Sequence, residues 1–323
     1  MKYKLILFTL TLIFFAGSQA LAQDPHFTQW ENMPVYHNPA LTGNFDGLVR
    51  VRAQYRNQWR SLLKDNSYKT SAVSAEYKFS NASTRKISVG ALFFKDKAGS
   101  LDSRTGSIHL STSVVQNLGN PDKALHSIAI GFNVGWASRK IDFGNAQWPG
   151  PPPTDLNDKT SYPDVSGGLL WQYKSKTHFS FNLGSALHHL NRPNISFSDS
   201  GVDKLYHRFN LHGHVEVPLV QQFSIVPSFL WTDQGPSEQL LFGLNNRWYP
   251  KSSSPNFVQL GIFAKTARSY NGNEINIYVL SATAEINSFL LGFSFDRFQE
   301  IESNAYEFSV GYTFGMAASK DTR

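Results

Sequence analysis

The chain has 323 residues, 30 Lys and Arg against 24 Asp and Glu, a net charge of +6 and no Cys; the missing Cys excludes a disulfide-stapled fold and a Cys-anchored lipoprotein. Its cations are scattered rather than clustered with stacking aromatics, which argues against nucleic-acid binding. With 14% aromatic residues and a mean hydropathy of −0.31 it is too polar for a helical membrane protein, but it suits a β-wall ringed by Phe, Tyr and Trp.

Lys2 and Lys4 precede an apolar run over 5–16 and a small-x-small site, Ala20-Leu21-Ala22. This predicts a signal peptide over 1–22 and a mature start near Gln23. No later stretch offers about twenty consecutive apolar residues, the length of a spanning helix. Residues 23–46 do not alternate. Pro39 biases Asn38 away from helix, and Gly43 suits a turn. Phe27, Trp30 and Tyr36 together are more than a disordered leader needs. The segment is expected to fold into or under a barrel as a plug; a plain periplasmic lead-in is the alternative.

From Leu48 to Phe314 apolar and polar residues alternate with a period of two, the spacing of strand side chains on opposite faces. The polarity is inverted relative to a soluble barrel. Over 127–136 the small and polar set is Ser127, Ala129, Gly131, Asn133 and Gly135, and the opposite set is large and apolar. An apolar outside with a polar inside predicts an all-β fold, a transmembrane antiparallel β-barrel spanning 47–314, with a tail over 315–323. A soluble β-sandwich is the remaining alternative. Alternating segments centre on Arg52, Ala75, Gly90, Leu110, Phe132, Leu169, Leu183, Leu211, Val226, Phe242, Ile262, Ile277, Phe293 and Val310. That is about fourteen strands, and an even number suits a single-chain bacterial barrel. The segments around Phe242 and Ile277 alternate poorly. With the mature N-terminus in the periplasm, short turns such as 174–177 and 286–288 lie inside, and the long linkers 138–161 and 188–203 lie outside. The run Trp148-Pro-Gly-Pro-Pro-Pro153 cannot pair as a strand and reads as a stiff extended loop.

Arg50, Arg52, Arg56 and Lys78 share the inward phase with Glu76, Asp296 and Glu307. A charge on the lipid face would cost about 2–4 kcal/mol for a basic residue at the midplane. These groups are therefore expected to form a lumenal network across the seam between the first and last strands, or else an anion-selective constriction. Arg208, Asn210, His212 and His214 also share one face. His-x-His on a strand can bind metal, but no carboxylate at clear spacing completes the set. The pair His109 and Ser111, which could begin a hydrolase site, faces the lumen and is of a kind that alternation produces freely. No catalytic, cofactor or metal site is expected.

Three motifs stand in order near the start: Asp24-Pro-His-Phe-Thr-Gln29, then Asn38-Pro-Ala-Leu-Thr-Gly43, then Tyr55-Arg-Asn-Gln-Trp59. Asp96-Lys-Ala-Gly99, Val226-Pro-Ser-Phe229, Gly292-Phe-Ser-Phe-Asp296 and Glu307-Phe-Ser-Val-Gly-Tyr-Thr-Phe314 follow. The ordered set resembles the PorP/SprF family of type IX secretion outer-membrane proteins of Bacteroidetes-type bacteria. The charged tail after Phe314 departs from it. The resemblance implies a non-enzymatic barrel, exported to the outer membrane, that supports secretion or surface anchoring of large cargo proteins and adhesins through their C-terminal domains. The implied partners are that cargo, other type IX components, outer-membrane lipids and a peptidoglycan-binding periplasmic protein. Phe27, Gln29, Asn38, Pro39 and Gly43 carry the family motif in the plug segment. Trp148, Pro151, Pro152, Pro153 and Phe197 combine rigid Pro with aromatic anchors and are the candidate cargo-contact residues. The alternative function is a porin or a channel for hydrophobic solutes.

Overall fold

A computed structural model describes residues 24–79, 84–99, 101–118, 124–145, 155–177, 179–250, 256–268 and 274–315. The signal peptide, the tail beyond Gly315, and Trp148, Pro151, Pro152 and Pro153 lie outside the described residues. Fourteen strands run in chain order: β1 Val49–Gln58, β2 Tyr68–Lys78, β3 Arg85–Ala98, β4 Ser103–Leu118, β5 Ala124–Lys140, β6 Lys159–Ser175, β7 Ser180–His188, β8 Arg208–Val220, β9 Phe223–Gln234, β10 Ser237–Trp248, β11 Phe257–Arg268, β12 Glu274–Ile286, β13 Phe289–Phe298 and β14 Asn304–Phe314. Each pairs antiparallel with its neighbour in sequence. β1 closes on β14, from Val49 opposite Phe314 to Gln58 opposite Ala305. Closure leaves no sheet edge, and an unpaired backbone amide in lipid costs several kcal/mol.

The pleat sorts the side chains as the sequence pattern requires. Phe132 and Ile262 face outward at 57% and 66% exposure, while Ser111 and Asn133 face inward at 4% each. Along β5 the outward set runs from Ile128 to Trp136. Eight steps of about 3.4 Å give roughly 27 Å of strand, or about 20 Å along the axis at a tilt near 40°, close to the ~25 Å apolar band of such barrels. Aromatic clusters mark the rim where β1 begins and β14 ends. There Tyr77 meets Phe79, and Phe289, Tyr312 and Phe314 pack in sequence.

The two mouths differ. The proximal mouth, where β1 begins, has tight connections, such as Asn287 and Ser288 at positive φ between β12 and β13. The distal mouth carries residues 189–207, folded against 141–145 and 155–158. Leu156 bridges Ser198, and the Asn157 amide donates to the Phe197 carbonyl at 2.7 Å. Ile195 and Leu205 are buried with Ala137 and Tyr162. Phe197 is not a free anchor. Its ring meets Phe143 edge-on and lies 5.4 Å from the Arg139 guanidinium, so it joins two loops to each other.

Candidate functional site: the lumen and its occupant

The barrel is filled by its own N-terminal segment. Phe27, Met33, Val35, Asn38, Ala40 and Thr42 are fully buried, and groups from every strand meet the segment in a hydrogen bond or an apolar cluster. Only short helical turns, Trp30–Asn32, Pro34–His37 and Pro39–Leu41, interrupt it. Asp24, the first described residue, sits at the opposite end of the barrel from Leu48. It lies at the distal mouth, against Gln234 of β9, Arg208 of β8 and His189 of the adjoining loop. The chain then descends through the lumen to Leu48 at the proximal mouth.

Three apolar contacts hold it. Trp30 packs into Leu230, Leu241, Phe263, Ile277 and Val279, an apolar patch on an otherwise polar lumen wall. This patch is why β10 and β12 alternate poorly: their inward residues are apolar because they receive Trp30. His212 and His214, the strand pair with metal-like spacing, face the same ring at 5.1 and 6.3 Å between centroids. Among the described residues no group of three or more His, Asp and Glu is arranged to hold a metal ion. Second, Phe27, Met33, Val35 and Tyr36 pack on Ala72, Leu92 and Phe94, with Tyr36 stacked on Phe94 at 5.2 Å. Third, Ala40 and Leu41 sit against Val115, Ala129 and Leu170.

The Asn38-Pro39-Ala40 motif docks on a saddle of small residues. A Cβ on Gly131 would lie 2.2 Å from the Ala40 nitrogen, and one on Gly168 would lie 2.0 Å from Asn38 Oδ1. Asn38 Nδ2 is shared among the Leu169 carbonyl at 2.9 Å, the Ser185 carbonyl at 3.2 Å and His212 Nε2 at 3.0 Å. Its Oδ1 accepts from the Ala40 amide at 2.8 Å. One side chain thus ties the segment to three adjacent strands. Gly43 takes φ of +75° and presses on Ser88, which leaves no room for a side chain.

The charges divide into two clusters. At the seam, Arg56 pairs with Glu307 at 2.5 Å and Asp296 at 2.8 Å, all with side chains no more than 3% exposed. Glu307 also accepts from the amides of Thr28 at 2.5 Å and Gln29 at 2.9 Å. Nearer the proximal mouth, Arg50 grips Glu76 through two nitrogens at 2.7 and 2.9 Å, and Glu76 accepts from the Gly43 amide at 2.8 Å. Arg52 does not join either cluster; it pairs with Glu285 of β12 at 3.4 Å. Lys78 instead holds the Phe45 carbonyl and lies over the Phe45 ring. The carboxylates therefore serve two ends at once, balancing arginines and binding the backbone of the segment. A buried charge is tolerated only with such pairing. Sequence phase identifies the inward charges, but nothing in it assigns the backbone amides to them.

At the distal mouth His189 sits between two carboxylates, Nε2 to Asp24 at 2.8 Å and Nδ1 to Asp164 at 2.9 Å. Both ring nitrogens must donate, so the ring is an imidazolium. Burial pulls its pKa down, but Asp24 and Asp164 outweigh that and hold it up at about 9. Burial pushes the Asp24 carboxyl up, yet His189 and Arg208 together keep it well below the usual carboxylate range. His109 and Ser111 are not joined as a catalytic pair: His109 meets Asn133 at 2.9 Å and Ser111 meets Thr42 at 3.0 Å.

Among solved structures, the fold is similar to that of the CymD monoaromatic hydrocarbon channel, with a TM-score of 0.56 at 12% identity over 89% of this chain and 94% of that one. It is also similar to the Ralstonia pickettii toluene transporter TbuX, with a TM-score of 0.53 at 9% identity over 88% and 94%. At these identities the likeness shows a shared outer-membrane barrel fold and nothing further. A search of curated proteins returns no match. The model of the type IX secretion system membrane protein PorP/SprF family matches residues 19–312, so the chain belongs to the PorP/SprF family of type IX secretion system membrane proteins.

Proposed function

We propose that this protein is a plugged, non-enzymatic barrel of the outer membrane that serves the type IX machine in secreting large cargo proteins or anchoring them at the surface. The observation that carries this is the filled lumen. A segment fixed by buried ion pairs and three apolar clusters is poorly suited to a steady pore. In this reading the proximal mouth faces the periplasm and its partners, and the candidate cargo loops, 147–159 and 191–203, face outward, where cargo C-terminal domains arrive. The N-terminal processing expected over 1–22 delivers the chain to that membrane.

Two measurements test the reading. In planar bilayers the purified protein should give no steady conductance. In cells, removal of 148–153 should release cargo to the medium while barrel assembly, followed by heat-modifiable migration, persists. Stable, selective conductance together with normal secretion in a deletion strain would favour the alternative, a porin or a channel for hydrophobic solutes, as the CymD monoaromatic hydrocarbon channel and the toluene transporter TbuX are.

A further inference from the structure

The lumen holds the occupant by its backbone as well as by its polar side chains. Donated amides are those of Asp24 to Gln234, of Thr28 and Gln29 to Glu307 and of Gly43 to Glu76. Accepting carbonyls are those of Gln29 from Gln54 at 3.3 Å, Tyr36 from Arg208 at 3.2 Å, His37 from Asn210 at 2.8 Å, Thr42 from Ser113 at 2.5 Å and Asn44 from Arg50 at 3.3 Å. The main-chain part of this recognition gives affinity without demanding one sequence, as where an extended peptide is captured by a sheet edge; the side chains of Thr28, Gln29 and Asn38 add contacts that favour the resident sequence. The wall also carries more such groups than the segment uses. Ser228, Gln234, Gln239, Asn245 and Ser294 face the lumen, are at least 95% buried, and each keeps a polar atom without a protein partner. Asn245 borders a small cavity of about 20 Å³ beside 28–32.

The tether gives the occupant a direction. It joins the barrel at Leu48, at the proximal mouth, and its far end lies at the distal mouth. Withdrawal through the proximal mouth needs no strand to open and no chain end to pass the tether. Drawn out, residues 24–47 would reach about 80 Å.

We propose that the lumen is a receptor for extended polypeptide, that residues 24–47 are its built-in occupant, and that a segment of a second protein takes the same place once the occupant is withdrawn through the proximal mouth. This deepens the secretion reading and rests on it for its biological setting, but the binding is measured on pure protein. Loss of binding with an intact secretion phenotype would therefore sink this inference alone, and the reverse result would sink only the other.

The test uses a fluorescent peptide of residues 24–45 offered to the full chain in detergent. The resident segment competes at high effective concentration, so the chain to use is the double variant Phe27→Ala with Asn38→Ala, whose wall is unchanged. Saturable binding is expected, at least tenfold tighter than to the parent chain. A peptide N-methylated at the positions of Thr28, Gln29 and Gly43 should bind at least tenfold more weakly. If the double variant does not assemble, the chain with Thr42→Cys and Ser111→Cys serves instead. It has no other Cys, and the parent side chains lie 3.0 Å apart. Oxidised, it should exclude the peptide; reduced, it should admit it over hours. No binding to the double variant, equal binding of the N-methylated peptide, or equal binding to the oxidised and reduced chains would each overturn the proposal.

Discussion

Replacing Asn38 with Ala should loosen the occupant while leaving the wall closed. The side chain is fully buried and makes four hydrogen bonds across β6, β7, β8 and its own turn. Alanine would strand two buried groups, the Ala40 amide and His212 Nε2. A stranded buried group costs about 1–3 kcal/mol. The small cavity left behind adds to this, and relaxation of the turn subtracts from it, so about 2–4 kcal/mol is expected in total. At about 1.4 kcal/mol per tenfold, the open population of the segment should rise by roughly 30- to 700-fold. Amide exchange reads that population directly when opening is fast and local. Peptides covering 27–43 should lose protection by that factor, and those from β5 and β6 should not change. Asn38→Asp should be worse than Asn38→Ala, because a carboxylate would face the Leu169 and Ser185 carbonyls with no proton to give. Protection over 27–43 within threefold of the parent, in a barrel that still migrates as folded, would refute the claim that Asn38 pins the segment.

Three further outcomes follow from the same geometry. Gly168→Ala should release the motif, since its Cβ would lie 2.0 Å from Asn38 Oδ1, while Gly106→Ala, whose Cβ has its nearest neighbour at 3.8 Å, should be silent by the same exchange assay. Glu307→Gln removes one of two carboxylates from Arg56 and a charged acceptor from two amides; a loss of about 3–5 kcal/mol is expected, seen as a lower denaturant midpoint for loss of heat-modifiable migration. The His189 anchor should depend on pH. Its folded pKa of about 9 lies above the ordinary 6.5, so its contribution is complete below about 6.5 and fades as pH rises through about 9. The lowered Asp24 carboxyl works in the opposite sense, and its contribution is lost in acid below the ordinary carboxylate range. Protection of residues 24–28, corrected for intrinsic exchange, should fall between pH 7 and pH 10 in the parent and be low at both in His189→Gln; equal protection at the two pH values in the parent would count against the anchor.

The wall was legible because lipid imposes one rule on every strand. Outward residues must be apolar wherever they meet acyl chains, so Phe132, Leu169 and Leu291 announce their strands without reference to any partner. The occupant obeys no such rule, and its contacts are long-range. Asn38 meets Leu169 across 131 positions, and Thr28 meets Glu307 across 279; no period links them. Arg52 illustrates the same limit. Its phase places it inward, but its partner Glu285 lies on β12, three strands away round the barrel rather than on an adjacent strand, and strand adjacency alone favours Glu76 or Glu307. Yet the sequence does contain a trace of the occupant, in the places where alternation fails. Leu241, Phe263, Ile277 and Val279 put apolar side chains on the inward face of three neighbouring strands. A water-filled lumen would gain nothing from them, because apolar area there stays hydrated at roughly 25 cal/mol per Å². Something apolar must cover that patch, and in this fold it is Trp30. Broken alternation in a barrel of this type is therefore better read as the footprint of what fills the barrel than as weakness of the strand that carries it.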